Sequence, residues 1–192
     1  MANQLRNLFI ISGPSGVGED SVIEGLRSYF EIERVITTTT RSMRPGESEG
    51  KPYFFVEAKE FEAKIKRGDL AEYAQEYNGN YYGVTKDELY RVGNSGKIGI
   101  WKIEYKGVMT VKQKFPWIKS IYIAPPSLEV LESRIRRRDG DVDEETLKER
   151  MEYTKEWIKH EHIYDYKVVN EEGELAATIQ QVAEIIKNLS KL

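Results

Sequence analysis

Gly13-Pro14-Ser15-Gly16-Val17-Gly18 follows a short apolar run, Leu8 to Ile11, and precedes Val22, Ile23 and Leu26 at helical spacing. Glycines between a strand and a helix let backbone N–H groups converge on phosphate oxygens, and the helix N-terminus adds partial positive charge. A phosphate loop of this kind continues with Lys and then Ser or Thr. Here Glu19 and Asp20 follow, with Ser21 as a spare hydroxyl. A hydroxyl at the second position ligates Mg²⁺, and the Asp20 carboxylate is also a hard oxygen ligand. Glu19 is the harder substitution. Two unit charges ~4 Å apart at an effective dielectric of ~20 interact by about 4 kcal/mol, so exchanging a cation for an anion beside a transferring phosphoryl swings the energy by up to roughly twice that. A solvated first-turn glutamate, favoured by the helix dipole, is the other reading of Glu19, as an ordinary tight turn is of the loop.

Arg41 and Arg44 stand three residues apart, and guanidinium forks bind phosphate bidentately. The hydroxyls of Tyr53 and Tyr82 would add neutral donors; a solvated arginine pair with core tyrosines is the plainer alternative. Arg134, Arg138 and Arg150 lie in and around a polar stretch, Arg136 to Asp143, that reads as a mobile flap between two helices. Phosphoryl transfer is catalysed mostly by positioning and by cations around the equatorial oxygens, which such arginines supply. Arg136 and Arg137 read as solvated, His160 and His162 as ordinary helix-end residues, and Pro116-Trp117 and Trp157 as packing.

The elements that must position these residues follow from hydrophobic pattern. Leu8–Ile11, Ile98–Ile103, Ile121–Ile123 and Tyr166–Val169 are strand-like runs, and helical patterns follow them, including a clear stripe over 175–189. This alternation predicts an α/β fold with a parallel sheet. From about Arg34 to Val84 the pattern changes to β-branched and aromatic runs (Val35–Thr40, Tyr53–Val56, Asn80–Gly83), with one helix near Lys59–Arg67 and turn signals at Pro45-Gly46 and Asn78-Gly79. A small mixed or antiparallel sheet inserted after the first strand–helix unit is expected, closed by a capping box at Thr85-Lys86-Asp87-Glu88.

Bulk properties narrow the partners. The chain has 192 residues, 40% of them hydrophobic, enough for one compact domain. A net charge of −3 lacks the basic excess of a nucleic-acid binder. The absence of cysteine removes disulfides and thiolate metal sites and fits a reducing cytoplasm. No run approaches the ~18 apolar residues of a membrane span, and the first residues show no signal-peptide pattern. A cytoplasmic protein with neither nucleic-acid nor membrane partners is expected; the oligomeric state is not legible.

Thr37-Thr38-Thr39-Thr40-Arg41-Ser42-Met43-Arg44-Pro45-Gly46-Glu47, followed by Gly50 and Tyr53-Phe54-Phe55-Val56, resembles the guanylate kinase pattern T-T-R-x-x-R-x-G-E then G-x-x-Y-x-F. Further matches follow in order: Leu70-Ala71-Glu72-Tyr73-Ala74 to F-x-E-W-A, Gly79–Gly83 to G-N-Y-Y-G, Pro125-Pro126-Ser127 to P-P-S, and Val168-Val169-Asn170 to V-x-N. The similarity runs from Leu8 to at least Asn170. It implies a P-loop parallel-sheet core with helices on both faces (1–33 and 85–192), an inserted nucleotide-monophosphate lobe at about 34–84 and a short lid at about 136–143. It implies transfer from ATP to GMP, with Mg²⁺, giving ADP and GDP. Arg41, Arg44, Tyr53 and Tyr82 would hold the GMP phosphate, Thr37 and Glu72 would face guanine, Arg138 and Arg150 would be lid arginines closing over ATP, and Asn170 would lie near adenine. Glu104 stands where the family has a second guanine-facing Asp, with one extra methylene.

Two departures matter. Val84 replaces a Ser or Thr near the base, which would relax base selectivity. Trp101–Gly107 aligns with D-I-D-x-Q-G, so Lys102 replaces an Asp just as Glu19 replaces the loop Lys. These opposite reversals predict that Lys102 pairs with Glu19 or supplies the missing cation; an unrelated surface lysine is the alternative. Two rival functions remain: a GMP-binding pseudokinase or interaction module, motivated by Glu19, and a kinase for another nucleoside monophosphate, motivated by Val84.

Overall fold

The computed structural model describes residues 5–75, 79–140 and 143–190; Asn78 of the expected turn and residues 141–142 of the expected lid lie outside them. Along the chain come β1 (Leu8–Ser12), α1 (Glu19–Gly25), β2 (Ile32–Arg34), β3 (Thr37–Thr39), β4 (Tyr53–Phe55), α2 (Ala58–Arg67), β5 (Leu70–Gln75) and β6 (Tyr81–Thr85). Then follow α3 (Lys86–Gly93), β7 (Ile98–Lys102), α4 (Tyr105–Lys114), β8 (Lys119–Ala124), α5 (Leu128–Asp139), α6 (Glu144–Lys159), β9 (Tyr166–Val169) and α7 (Leu175–Leu189).

Five strands form a parallel sheet in the order β2-β7-β1-β8-β9. The uninterrupted apolar run of β1 follows from its position, because both faces of a central parallel strand are covered. Phe9 and Ile11 join Val22 and Ile23 of α1, Leu131 and Ile135 of α5, and Val182 and Ile186 of α7 in one core cluster. Leu8 and Ile10 turn the other way, toward Leu89 and Val92 of α3 and Val108 and Val111 of α4. Each such side chain contributes about 1.5–3 kcal/mol on burial. The helices therefore cover both faces, as the alternation predicts. Among the described residues no helix is long and apolar enough to cross a membrane.

The second sheet, β4-β3-β6-β5, is mixed: β3 and β4 run parallel, while β6 runs antiparallel to β3 and β5. Its Ala71 and Val84 belong to the same cluster as Leu8 and Ile10, so the two sheets share a core. Two strands have no counterpart in the sequence reading. β2 spans three residues and β5 is rich in alanine and polar residues, so both owe their form to the neighbour they pair with rather than to intrinsic preference.

Two local expectations are corrected. Thr85 caps α3 by accepting from the Glu88 N–H at 3.1 Å, but Glu88 does not reciprocate. Its buried carboxylate accepts instead from the Ile36 N–H at 2.7 Å and from Arg91, tying the helix to the segment between β2 and β3. Arg136 to Asp139 do not lie between two helices; they form the last turn of α5, where three cations complement the negative end of the helix dipole.

Candidate nucleotide-binding site

The glycine loop leaves the C-terminal end of β1 and runs into α1. Gly16 and Gly18 hold φ near +87° and +94°, conformations costly for side chains with a Cβ. A Cβ on Gly13 would lie 2.5 Å from the Ile123 carbonyl, so only glycine lets the loop pass this close to β8. Asn170, at the end of β9, braces the loop from below. Its Nδ2 donates to the Val17 carbonyl at 2.8 Å, and its Oδ1 accepts from Thr178 at 3.0 Å. Both ends of this buried amide are engaged within the protein, so it supports the loop.

Lys102 reaches the loop because of register. Ile11 pairs with Lys102, so the end of β7 lies beside the strand that feeds the glycines. The Lys102 Nζ stands 3.1 Å from Glu19 Oε1 and 2.5 Å from Asp20 Oδ2, and Arg34 approaches Asp20 at 3.2 Å. The Glu19 side chain is only 14% exposed, which overturns the reading of a solvated first-turn residue. Burial pulls the Lys102 ammonium down, but Glu19 and Asp20 outweigh it and hold the pKa above its ordinary value. Burial likewise pushes the Asp20 carboxyl up, and Lys102 and Arg34 together bring it below its ordinary value. Asp20, the expected Mg²⁺ ligand, is paired in this arrangement with Lys102 and Arg34. Among the described residues no group of three or more His, Cys, Asp or Glu could hold a metal. Ser21 is exposed on α1.

Arg41, Tyr53 and Tyr82 come together where β3, β4 and β6 meet. The Arg41 guanidinium lies 5.4 Å from the Tyr53 ring centre, and the Tyr53 and Tyr82 rings are 6.0 Å apart. The Arg41 fork is bidentate to Glu47, at 2.8 Å and 3.1 Å, and also donates to the Ser42 carbonyl at 2.7 Å. Glu47 additionally accepts from the backbone N–H of Arg44 at 2.8 Å, while the Arg44 residue is exposed at the rim. Sequence reasoning placed no role on Glu47. Its signal was the acidic residue that ends the T-T-R-x-x-R-x-G-E pattern.

Glu72 on β5 is 5% exposed, and burial pushes its carboxyl up to about 7; Lys114 pulls it down and Glu104 adds to the rise. A Cβ on Gly107 of α4 would come within 3.3 Å of Glu72 Oε2 and 2.3 Å of Ile103 Cδ1, so the glycine lets helix and carboxylate approach. Glu104 accepts from the Tyr153 hydroxyl at 2.5 Å, which links the start of α4 to α6. Thr37 opens β3, half-buried, opposite Tyr53. Val84 is the cross-strand partner of Glu72 but is fully buried in the shared core.

Arg138 and Arg150 converge on Asp139, Arg138 at 2.6 Å, and Arg138 also approaches the Ser15 hydroxyl at 3.4 Å. Asp139 was not foreseen, because one acid among many charges gives no pattern. Arg134 is directed elsewhere, to Glu172 and the Asn170 carbonyl. Arg136 pairs with Glu132 and Glu144 at the surface, and Arg137 with Glu172.

Comparison with known proteins shows the family. The family model for guanylate kinase matches residues 5–189. A guanylate kinase of Halalkalibacterium halodurans is 42% identical over 170 residues, 88% of this chain and 82% of that protein. One of Streptococcus thermophilus is 40% identical over 182 residues, covering 94% and 85%. The crystal structure of guanylate kinase from Anaplasma phagocytophilum aligns with a TM-score of 0.71 at 27% identity, over 96% of this chain and 86% of that one. The chain belongs to the guanylate kinase family.

Proposed function

We propose that the protein transfers the γ-phosphoryl group of ATP to GMP, giving ADP and GDP. The observation that carries this reading is the grouping of the Arg41 fork with the Tyr53 and Tyr82 rings beside Glu47. A dianionic phosphate is a stronger partner for a guanidinium fork than a carboxylate of the same protein, and it would displace Glu47 from Arg41. Tyr53, Tyr82 and Arg44 add donors at its edge. Glu72, ionised, would accept from the N1–H and exocyclic amine of guanine, a donor pair that adenine does not present, with Glu104 and Thr37 beside it. A GMP phosphate oxygen then attacks the γ-phosphorus in line; the bond to the β-bridging oxygen breaks and its electron pair leaves on ADP. Arg138 and Arg150, held by Asp139 next to Ser15, provide positive charge over the transferred group. Mg²⁺ would arrive with the ATP phosphates, and to ligate it Asp20 would have to exchange its contacts with Lys102 and Arg34. A cytoplasmic setting fits a chain without cysteine.

A coupled assay of ADP release with GMP, dGMP, AMP, UMP and CMP tests the assignment. GMP is expected to be the preferred acceptor; a preference for AMP overturns the guanine reading. Because Glu19 stands in the loop, the same assay separates the enzyme from a GMP-binding module: binding of GMP with ADP release at background favours the module.

A further inference from the structure

We propose that Lys102, delivered from the end of β7, supplies the cation that the glycine loop lacks, with Glu19 and Asp20 as the anchors that hold its ammonium in place. The inference rests on the phosphotransferase reading above and assigns a further phosphate-binding residue to it.

A phosphate loop ordinarily carries a lysine at the position of Glu19, and that lysine reaches the β- and γ-phosphates. Here the ammonium comes from a neighbouring strand. The parallel register Ile11 with Lys102 puts the two strand ends side by side, and the Lys102 Nζ lies 3.1 Å from Glu19 and 2.5 Å from Asp20. The two positions have exchanged charge and remain in contact. The Glu19 side chain is folded away at 14% exposure, whereas that of Lys102 is 38% exposed. Glu19 is thus the shielded member of that pair and Lys102 the more open one, while the Asp20 side chain is 60% exposed at the rim of the cluster. Arg34 holds Asp20 from the other side at 3.2 Å, which fixes the second anchor. The nearby Arg138 is bound to Asp139 and Arg34 touches Asp20 alone, whereas Lys102 contacts both Glu19 and Asp20 in the first turn of α1.

A simpler role would be neutralisation, with Lys102 merely cancelling Glu19. The two roles separate by substitution. Calorimetric titration with ADP, AMP and GMP would be run on the wild type, K102M, E19Q/K102M and E19K/K102M, each checked for native circular dichroism. K102M is expected to lose about tenfold or more of its ADP affinity while AMP and GMP stay within about twofold, because only the β-phosphate reaches the loop cation. E19Q/K102M is expected to remain weak for ADP, since removing the anion does not restore a cation. E19K/K102M, which returns an ammonium to the helix, is expected to regain most of the loss. In the ADP-release assay K102M should lower kcat and leave KM for GMP unchanged. ADP affinity of K102M within about threefold of wild type, or full recovery in E19Q/K102M, overturns the proposal. Failure of the wild type to bind GMP would sink the GMP kinase reading instead, and the ADP titrations would still decide the role of Lys102.

Discussion

Glu72 shows what burial does to one carboxyl. Its pKa lies at about 7 because the buried site penalises the charge, and Lys114 only partly compensates. A carboxyl whose pKa rises on folding is bound more tightly to its proton in the native state. It therefore favours the fold below the unfolded value of 4.5, and that contribution disappears as the pH climbs through about 7. The displacement corresponds to ~3 kcal/mol. The unfolding free energy of E72Q minus that of the wild type should accordingly grow by up to about 3 kcal/mol between about pH 5 and about pH 8, measured by denaturant titration. Binding has the opposite sign, because the ionised form is the acceptor for guanine. KM for GMP should fall with rising pH more steeply in the wild type than in E72Q; the comparison removes the ionisation of the GMP phosphate near pH 6, which both share. At Arg41, the loss of two charge-assisted bonds of roughly 1.5–3 kcal/mol each predicts that R41M raises KM for GMP by about a hundredfold or more. Arg41, Glu72 and Lys102 were legible because a pattern or a pair of opposite departures singled them out. Glu47 and Asp139 were not, since an acid beside arginines reads as a solvated surface until its distances are known.

At the scale of elements, two contacts decide whether the site holds its shape. Gly107 lets α4 lie against Ile103 and Glu72. G107A drives a methyl group into Ile103, and overpacking of this kind costs about 1–3 kcal/mol. It should lower the denaturation midpoint and raise KM for GMP together, since the same shift displaces Glu72. Asn170 braces the loop from β9, and N170A leaves the Val17 carbonyl without its donor, a loss of about 1–3 kcal/mol by chemical denaturation. The strands that carry the loop and Lys102 were readable as apolar runs. β5, which carries Glu72, was not: Ala71, Glu72, Ala74 and Gln75 have little preference for a strand, and pairing with β6 makes it one. The three arginines of α5 misled for a related reason. Consecutive charges resemble a loop in sequence, yet at a helix C-terminus they are favourable.

For the whole molecule, alternation of strands and helices announced the class of fold, but the order β2-β7-β1-β8-β9 was not legible, because it depends on which side of β1 each crossover takes. Nor was the manner in which the inserted sheet attaches. Its Ala71 and Val84 are buried with Leu8, Ile10 and Trp101 of the parallel sheet, so the second sheet has no separate interior on that side. Val84 therefore belongs to the mechanical junction between the sheets as much as to the neighbourhood of Glu72. Removing two of its methyl groups in V84A should cost about 1–3 kcal/mol. In a chain of this length that is a fall in Tm of roughly 2–4 °C per kcal/mol. Of the three tryptophans, Trp101 and Trp157 are buried in different clusters and Trp117, between α4 and β8, is 38% exposed; none lies in the inserted sheet, so fluorescence reports the parallel-sheet side, whereas far-ultraviolet circular dichroism reports all elements. A shared core requires that both signals shift together in V84A and follow a single transition. A separate early transition in circular dichroism, with the fluorescence midpoint unmoved, would mean that the inserted sheet melts by itself and that Val84 joins nothing.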